Sequence, residues 1–215
     1  MDKIEQFIQE HHIKTLVGKD DFKEEFSRYE WSAPILQQPS HLEEYVHLIG
    51  LIGATIQDIT IVDNPGYYSL SYEHRKEGFW TFELDNVLVL ITDCGNFEIE
   101  YGESSSVRIS KDCIPRKFYY QKINKRIAEL KQLLSNLIND KIIGISIDST
   151  SFDRADDDFT GSCGIKLDKN LSAYIRESRL LLKSGRRLSF TSQYDDGIIS
   201  LYDKDNQLVK LDSAL

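Results

Sequence analysis

Two stretches of the chain carry the same pattern of apolar and polar positions. Leu51–Asn64 reads LIGATIQDITIVDN, and Leu137–Thr150 reads LINDKIIGISIDST. Aligned without a gap, Leu51 meets Leu137, Ile52 meets Ile138, Ile56 meets Ile142, Ile59 meets Ile145 and Ile61 meets Ile147, at a constant offset of 86 (137 − 51). In each, apolar residues at helical spacing give way to strict alternation. That change of period, from 3.6 to 2, marks a helix running into a half-buried strand.

The flanking pattern extends the parallel. Residues 3–17 predict a short amphipathic helix with Ile4, Phe7 and Ile8 on one face, stopped by Gly18. A second helix is predicted from Asp21, with Glu24 as the return arm of a capping box and Phe22, Phe26 and Tyr29 as its stripe. Trp31–Pro39, WSAPILQQP, then breaks regular structure with two prolines. Ser40 and Glu43 form a further capping box, and Leu42, Tyr45, Val46 and Ile49 give that helix its apolar face. After the strand at Ile59–Ile61 come strands at 67–72, 79–84, 87–92, 97–101 and 107–110, with short Gly, Pro and Asn turns between them. Connections that short predict an antiparallel meander.

The second half repeats the order. A long helix over Arg116–Asn139 has a seam of Tyr120, Ile123, Ile127, Leu130, Leu134 and Leu137. Ile143, Ile145 and Ile147 alternate as a strand, an acidic insert follows, and strands are predicted at 164–167, 179–183, 187–192, 198–202 and 208–211. The turn glycines Gly95 and Gly185 match at an offset of 90 (185 − 95). The fold class expected is α+β: antiparallel β-meanders packed on helices, in two diverged helix-plus-sheet repeats, preceded by two short helices. The segments are 1–39, 40–115 and 116–215, able to pack as one domain.

Composition adds bounds. A chain of 215 residues with 40% hydrophobic residues can bury a sizeable core. The N-terminal stretch has no apolar run of signal-peptide type, and no stretch approaches the ~18 apolar residues of a membrane span. Three cysteines at unrelated spacings (Cys94, Cys113, Cys163) suit free thiols in a reducing compartment. A cytoplasmic location and no membrane association are the expectation. The formal net charge of −9 disfavours nucleic acid and favours a basic partner.

Candidate chemistry is sparse. The phosphate-binding patterns G-x-x-x-x-G-K-[ST] and G-x-G-x-x-G do not occur, and GSCG (Gly161–Gly164) opens no helical pattern and reads as a turn. His11 and His12 are adjacent, and His41 and His47 lie six apart on a helix, poor spacings for a shared metal, so each reads as a surface or boundary residue. Asp153, Asp156, Asp157 and Asp158 are the densest carboxylate group, but their spacing fails the EF-hand template and reads as a solvated acidic loop. None of the three cysteines sits beside a visible base. Two basic clusters stand out, one along 108–131 and the other Arg176, Arg179, Lys183, Arg186 and Arg187.

The function expected is a non-catalytic, protein-binding module of a bacterial cytoplasm. An inhibitor or immunity-type protein against a basic partner fits a small, acidic, motif-free chain. Asp153, Asp156, Asp157 and Asp158, with the turn Tyr194, Asp195 and Asp196, would supply complementary charge and an aromatic anchor. No catalytic residue, metal or cofactor is expected. The alternatives are a regulatory or nucleic-acid-binding module using the basic helix 116–131, and an enzyme with an unrecognised site.

Overall fold

The computed structural model describes residues 2–17, 32–62, 72–74, 79, 81–84, 87–102, 106–114, 116, 119, 135–151, 173–193 and 196–210. The described chain is α+β. Its elements run α1 (Lys3–Glu10), β1 (Thr15–Val17), β2 (Ser32–Leu36), α2 (Pro39–Leu48), β3 (Ile56–Ile61), β4 (Tyr72–His74), β5 (Thr81–Leu84), β6 (Leu88–Thr92), β7 (Gly95–Gly102), β8 (Ser106–Lys111), β9 (Ile142–Ser151), β10 (Ala173–Leu182), β11 (Arg187–Gln193) and β12 (Asp196–Tyr202). They build two antiparallel sheets. Sheet 1 has the order β1-β2-β8-β7-β6-β3, and sheet 2 the order β4-β5-β12-β11-β10-β9.

Local chemistry explains where the elements depart from the patterned expectation. The first helix stops at Glu10, short of residue 17. Asp2 caps it through a capping box with Glu5, and the chain leaves through His12 at φ +52. Thr15–Val17 then pairs antiparallel with β2, placing Thr15 opposite Pro34 and Val17 opposite Ser32. The supposed proline break is therefore itself a strand. Ile35 donates its N–H to the Lys14 carbonyl at 2.8 Å, so the missing N–H of the preceding Pro34 points away from β1. The helix after it begins at Pro39, with Gln38 as cap and proline in the first turn; Ser40 does not cap it. Leu42, Tyr45, Val46 and Ile49 are buried as its spacing requires.

The helix predicted from Asp21 and nearly all of the one predicted over 116–139 fall outside the described residues. Ser135–Leu137, at the end of the latter, is a 3-10 turn, and Tyr119 near its start makes an isolated antiparallel bridge with Val62. Within the strand predicted at 208–211, Leu208 and Lys210 make isolated bridges, and residue 211 lies outside the described residues. β4 and β5 lie between β3 and β6 in sequence, yet belong to the other sheet, where β5 pairs with β12 and β4 with β5. Short connections set neighbours in sequence, but a hairpin with both edges free can join either sheet, and alternation alone cannot say which.

The two meanders share a register. In sheet 1, Ile56 faces Thr92, Asp58 faces Ile91, Ile59 faces Leu90 and Ile61 faces Leu88, with a bulge between Ile56 and Asp58. In sheet 2, Ile142 faces Leu182, Gly144 faces Leu181, Ile145 faces Leu180 and Ile147 faces Ser178, with an irregularity at the same place. The offsets are 86 on the first strand (145 − 59) and 90 on the second (180 − 90). The next pair matches as well. Ile99 faces Ile109, and Phe190 faces Ile199.

The two patterned stretches also meet each other. Thr55 and Lys141 form an antiparallel bridge. Gly53 N–H donates to Ile142 O at 2.8 Å and Asn139 N–H to Ile56 O at 2.7 Å; Ile142 N–H donates to Ala54 O at 2.8 Å and Ile56 N–H to Asp140 O at 2.9 Å. Shifting each residue of the first stretch by +86 and each of the second by −86 converts either pair of bonds into itself. The junction is thus a local pseudo-two-fold, and it stitches the edge of one sheet to the edge of the other.

Behind it lies one continuous core. Inward residues of sheet 1 (Leu88, Leu90, Phe97, Ile99, Ile109) and of sheet 2 (Leu180, Leu182, Leu188, Phe190, Leu201) join the apolar face of α2 in a single cluster. β7 touches both β11 and β12 across it. Each such side chain, fully buried, contributes ~1.5–3 kcal/mol.

Candidate functional site

Because inward positions fill the shared core, chemistry must sit on the outward faces and at the strand ends. Alternation puts Val89, Asn96, Glu98 and Ser110 on the outer face of sheet 1. The register places Arg179, Arg187, Ser189 and Ser200 at the corresponding outward positions of sheet 2.

The sheet 1 face is closed. Val62, Val89, Ile114 and Tyr119 form a small apolar cluster over it. Glu98 is fully buried beneath. Its carboxylate accepts from Ser110 Oγ at 2.7 Å, Ile114 N–H at 3.1 Å, Tyr119 Oη at 3.3 Å and Cys113 N–H at 3.4 Å. Burial pushes the carboxyl above its ordinary range, although these donors oppose the shift. All four donors belong to the protein, so Glu98 pins the segment after β8 onto the sheet. Beside it, burial and then the Glu98 charge push the Cys113 thiol up, which disfavours the reactive thiolate. Cys94 and Cys113 are both free and exposed; Cys163 lies outside the described residues.

The sheet 2 face carries a polar cluster. Glu177 and Arg179, two apart on β10, share it. Arg179 grips the Glu177 carboxylate with Nε at 2.8 Å and Nη2 at 2.7 Å. Ser189 Oγ, on the next strand, donates to the same carboxylate. Burial alone would raise the Glu177 pKa, but the hydrogen bonds from Arg179 and Ser189 outweigh it and hold the group below its ordinary value. The Arg179 guanidinium also lies 5.2 Å from the ring centre of Tyr202 on β12. Its Nη1 and that of Arg187 both donate to Asn206 Oδ1, at 3.3 Å and 2.8 Å. Asn206 is held at φ +62 in a turn after β12, whose N–H groups at Asp205 and Gln207 donate to Asp203 Oδ1. Arg176, further along β10, pairs with Asp148 at 3.2 Å.

Of the residues singled out in the sequence, Asp153, Asp156, Asp157, Asp158, Tyr194 and Asp195 lie outside the described residues. Asp196 opens β12, its backbone opposite Gln193. The described strand ends nevertheless say where these segments attach. The chain leaves β9 at Ser151 and re-enters β10 at Ala173, and those two residues face each other. Gln193 and Asp196 end the neighbouring hairpin on the same side. The acidic insert and the Tyr194–Asp196 turn are therefore both tethered to one end of sheet 2. Arg187, Tyr202 and Asn206 belong to the other end.

Sequence reasoning missed the Glu177–Arg179 pair as a unit, although two opposite charges two apart on a strand share a face. It also set the histidines apart. The structure sets His11, just after α1, against His41 of α2, with ring centres 4.6 Å apart and planes tilted by 49°, beside Phe7. Among the described residues, no group of three or more His, Cys, Asp or Glu side chains is placed to hold a metal ion. No described helix is long and apolar enough to cross a membrane. Comparison of the chain with known protein families, with curated proteins and with solved structures gives no match.

Proposed function

We propose that the chain is a diverged duplication of one helix-plus-meander unit, serving as a non-catalytic module that binds a basic protein through the acidic end of sheet 2. The shared registers, the matching bulge and the reciprocal junction bonds support the duplication. Shared Leu and Ile strands arise easily in unrelated sequences, whereas a common bulge within a common register does not.

One observation carries the binding reading: the topology tethers both acidic segments, 152–172 and 194–196, to the same sheet end. Carboxylates on segments attached to one end of a sheet would steer a cationic partner and fix its orientation. Tyr194 in that turn is the aromatic type that anchors interfaces. An inhibitor or immunity-type role in a bacterial cytoplasm fits this chemistry, with the two sheets as the platform.

Affinity capture from the source cell, followed by mass spectrometry, tests the reading. Stoichiometric recovery of one basic protein is expected, and neutralising Asp156, Asp157 and Asp158 to Asn should weaken capture in a salt-dependent manner. Unchanged capture by the neutralised variant would remove the acidic insert from the account.

A further inference from the structure

The opposite end of sheet 2 has the opposite character. Arg179 and Arg187 direct one guanidinium N–H each at the same neutral acceptor, Asn206 Oδ1. Guanidinium groups bind carboxylate or phosphate oxygens far more strongly than an amide oxygen, because the acceptor charge and the planar fork match. Three nearby acids are engaged elsewhere: Glu177 with Arg179 and Ser189, Asp148 with Arg176, and Asp203 with its own turn amides. Arg187 thus meets an amide where a carboxylate would be expected, within a chain of net charge −9.

The rest of the cluster is built to hold that arrangement. Arg179 is fixed by a two-pronged grip on Glu177 and by the Tyr202 ring, so it presents Nη1 without much freedom left to lose. Arg187 and Tyr202 are directly opposite each other on adjacent strands. Asn206 is exposed on a short turn. The corresponding positions of sheet 1 carry none of this chemistry. Val89 stands where Arg179 does, and Asn96 stands where Arg187 does, hydrogen-bonded through N–H and Nδ2 to Asp112 at 2.9 Å. The cluster is thus a feature of the second meander alone.

The geometry points to an oxyanion-binding site at Arg179, Arg187 and Tyr202, in which Asn206 Oδ1 occupies the anion's place in the free protein. The ligand class is a carboxylate or phosphate group, taken between Arg179 Nη1 and Arg187 Nη1 with Tyr202 as its wall. The site lies at the other end of the sheet from the strand ends where the acidic segments attach and stands independently of them.

The test is a titration of the full chain with inorganic phosphate and, separately, with succinate. Ionic strength is held constant with sodium chloride, and the side-chain Nε–Hε resonances of Arg179 and Arg187 are followed by NMR. A saturable shift of both resonances is expected, and the anion that binds more tightly identifies the chemistry. Arg187→Gln should weaken binding about tenfold or more, the loss of one charge-assisted hydrogen bond. Arg187→Lys should fall between, keeping the charge without the fork. Asn206→Gly, which suits the left-handed backbone and removes the competing oxygen, should bind as tightly as the parent or tighter. The absence of a saturable shift with either anion would overturn the proposal. So would an Arg187→Gln variant that binds like the parent.

Discussion

Replacing Glu98 by Leu separates a carboxylate that holds a segment from one that is only tolerated. The two side chains are similar in volume, so the change mainly removes acceptors. Four donors converge on Glu98, two of them hydroxyls, Ser110 and Tyr119, that can rotate toward other partners. The other two are the backbone N–H groups of Cys113 and Ile114, which cannot. An orphaned buried donor costs about 1–3 kcal/mol; the Ile114 N–H is buried and the Cys113 N–H partly so, and together they cost roughly 2–5 kcal/mol, the second discounted for its exposure, a large share of the ~5–15 kcal/mol that holds a domain together. Glu98→Gln keeps one carbonyl oxygen for Ile114 and should lose only about 1 kcal/mol at neutral pH. The assay is urea unfolding followed by circular dichroism, with amide exchange at Ile114 as a local readout. A Leu variant within ~0.5 kcal/mol of the parent, or no worse than the Gln variant, would refute the reasoning.

Further outcomes follow from the same geometry. The Glu98 pKa is raised in the folded state, so its contribution is fully present below the ordinary carboxylate value and is lost as pH rises through the folded pKa. The stability difference between Glu98→Gln and the parent should therefore shift in favour of Gln as pH rises across that window, and a pH-independent difference would contradict it. His41 has the opposite sign. Its pKa is lowered, chiefly by burial and then by His11, against the pull of Glu44. Its contribution is present above the ordinary histidine value and lost as pH falls through the folded pKa; His41→Gln should flatten the acid side of a Tm-against-pH curve. Arg179→Met strands the Glu177 carboxylate, 11% exposed, and should cost about 1–3 kcal/mol in urea unfolding, since the partly exposed guanidinium discounts the fully buried figure. Gly95→Ala should destabilise more than Gly185→Ala. Both sit at positive φ, but a Cβ at Gly95 would come within 2.6 Å of Asp112 Oδ2, whose carboxylate is held in place by the Asn96 N–H and Nδ2, against 3.1 Å from Lys204 Cβ at Gly185; the ranking is read from urea unfolding.

Much of the architecture was legible because it rests on periodicity. The isoleucines at 59, 61, 145 and 147 fall in strands, and Gly95 and Gly185 turn equivalent hairpins. The offset of 86 reappears as reciprocal hydrogen bonds between the two stretches themselves. Patterning failed where the deciding contact is distant. Thr15–Val17 continues a helical stripe on paper, but the chain turns at His12 and β2 claims it. The β4–β5 hairpin alternates like its neighbours and crosses to the other sheet. The polar cluster of sheet 2 draws Glu177, Arg187, Tyr202 and Asn206 from four segments, so no local motif encodes it. The acidic residues could be read as a group, but what unites them with the Tyr194 turn is strand pairing, visible only once β9, β10, β11 and β12 are in register.

The most direct test of the account is a hydrogen-exchange map of the chain with and without its captured basic partner. Protection should concentrate at the end of sheet 2 marked by Ser151, Ala173, Gln193 and Asp196, and in the segments tethered there. Protection confined to the outer face of sheet 1, with that end of sheet 2 unchanged, would contradict it.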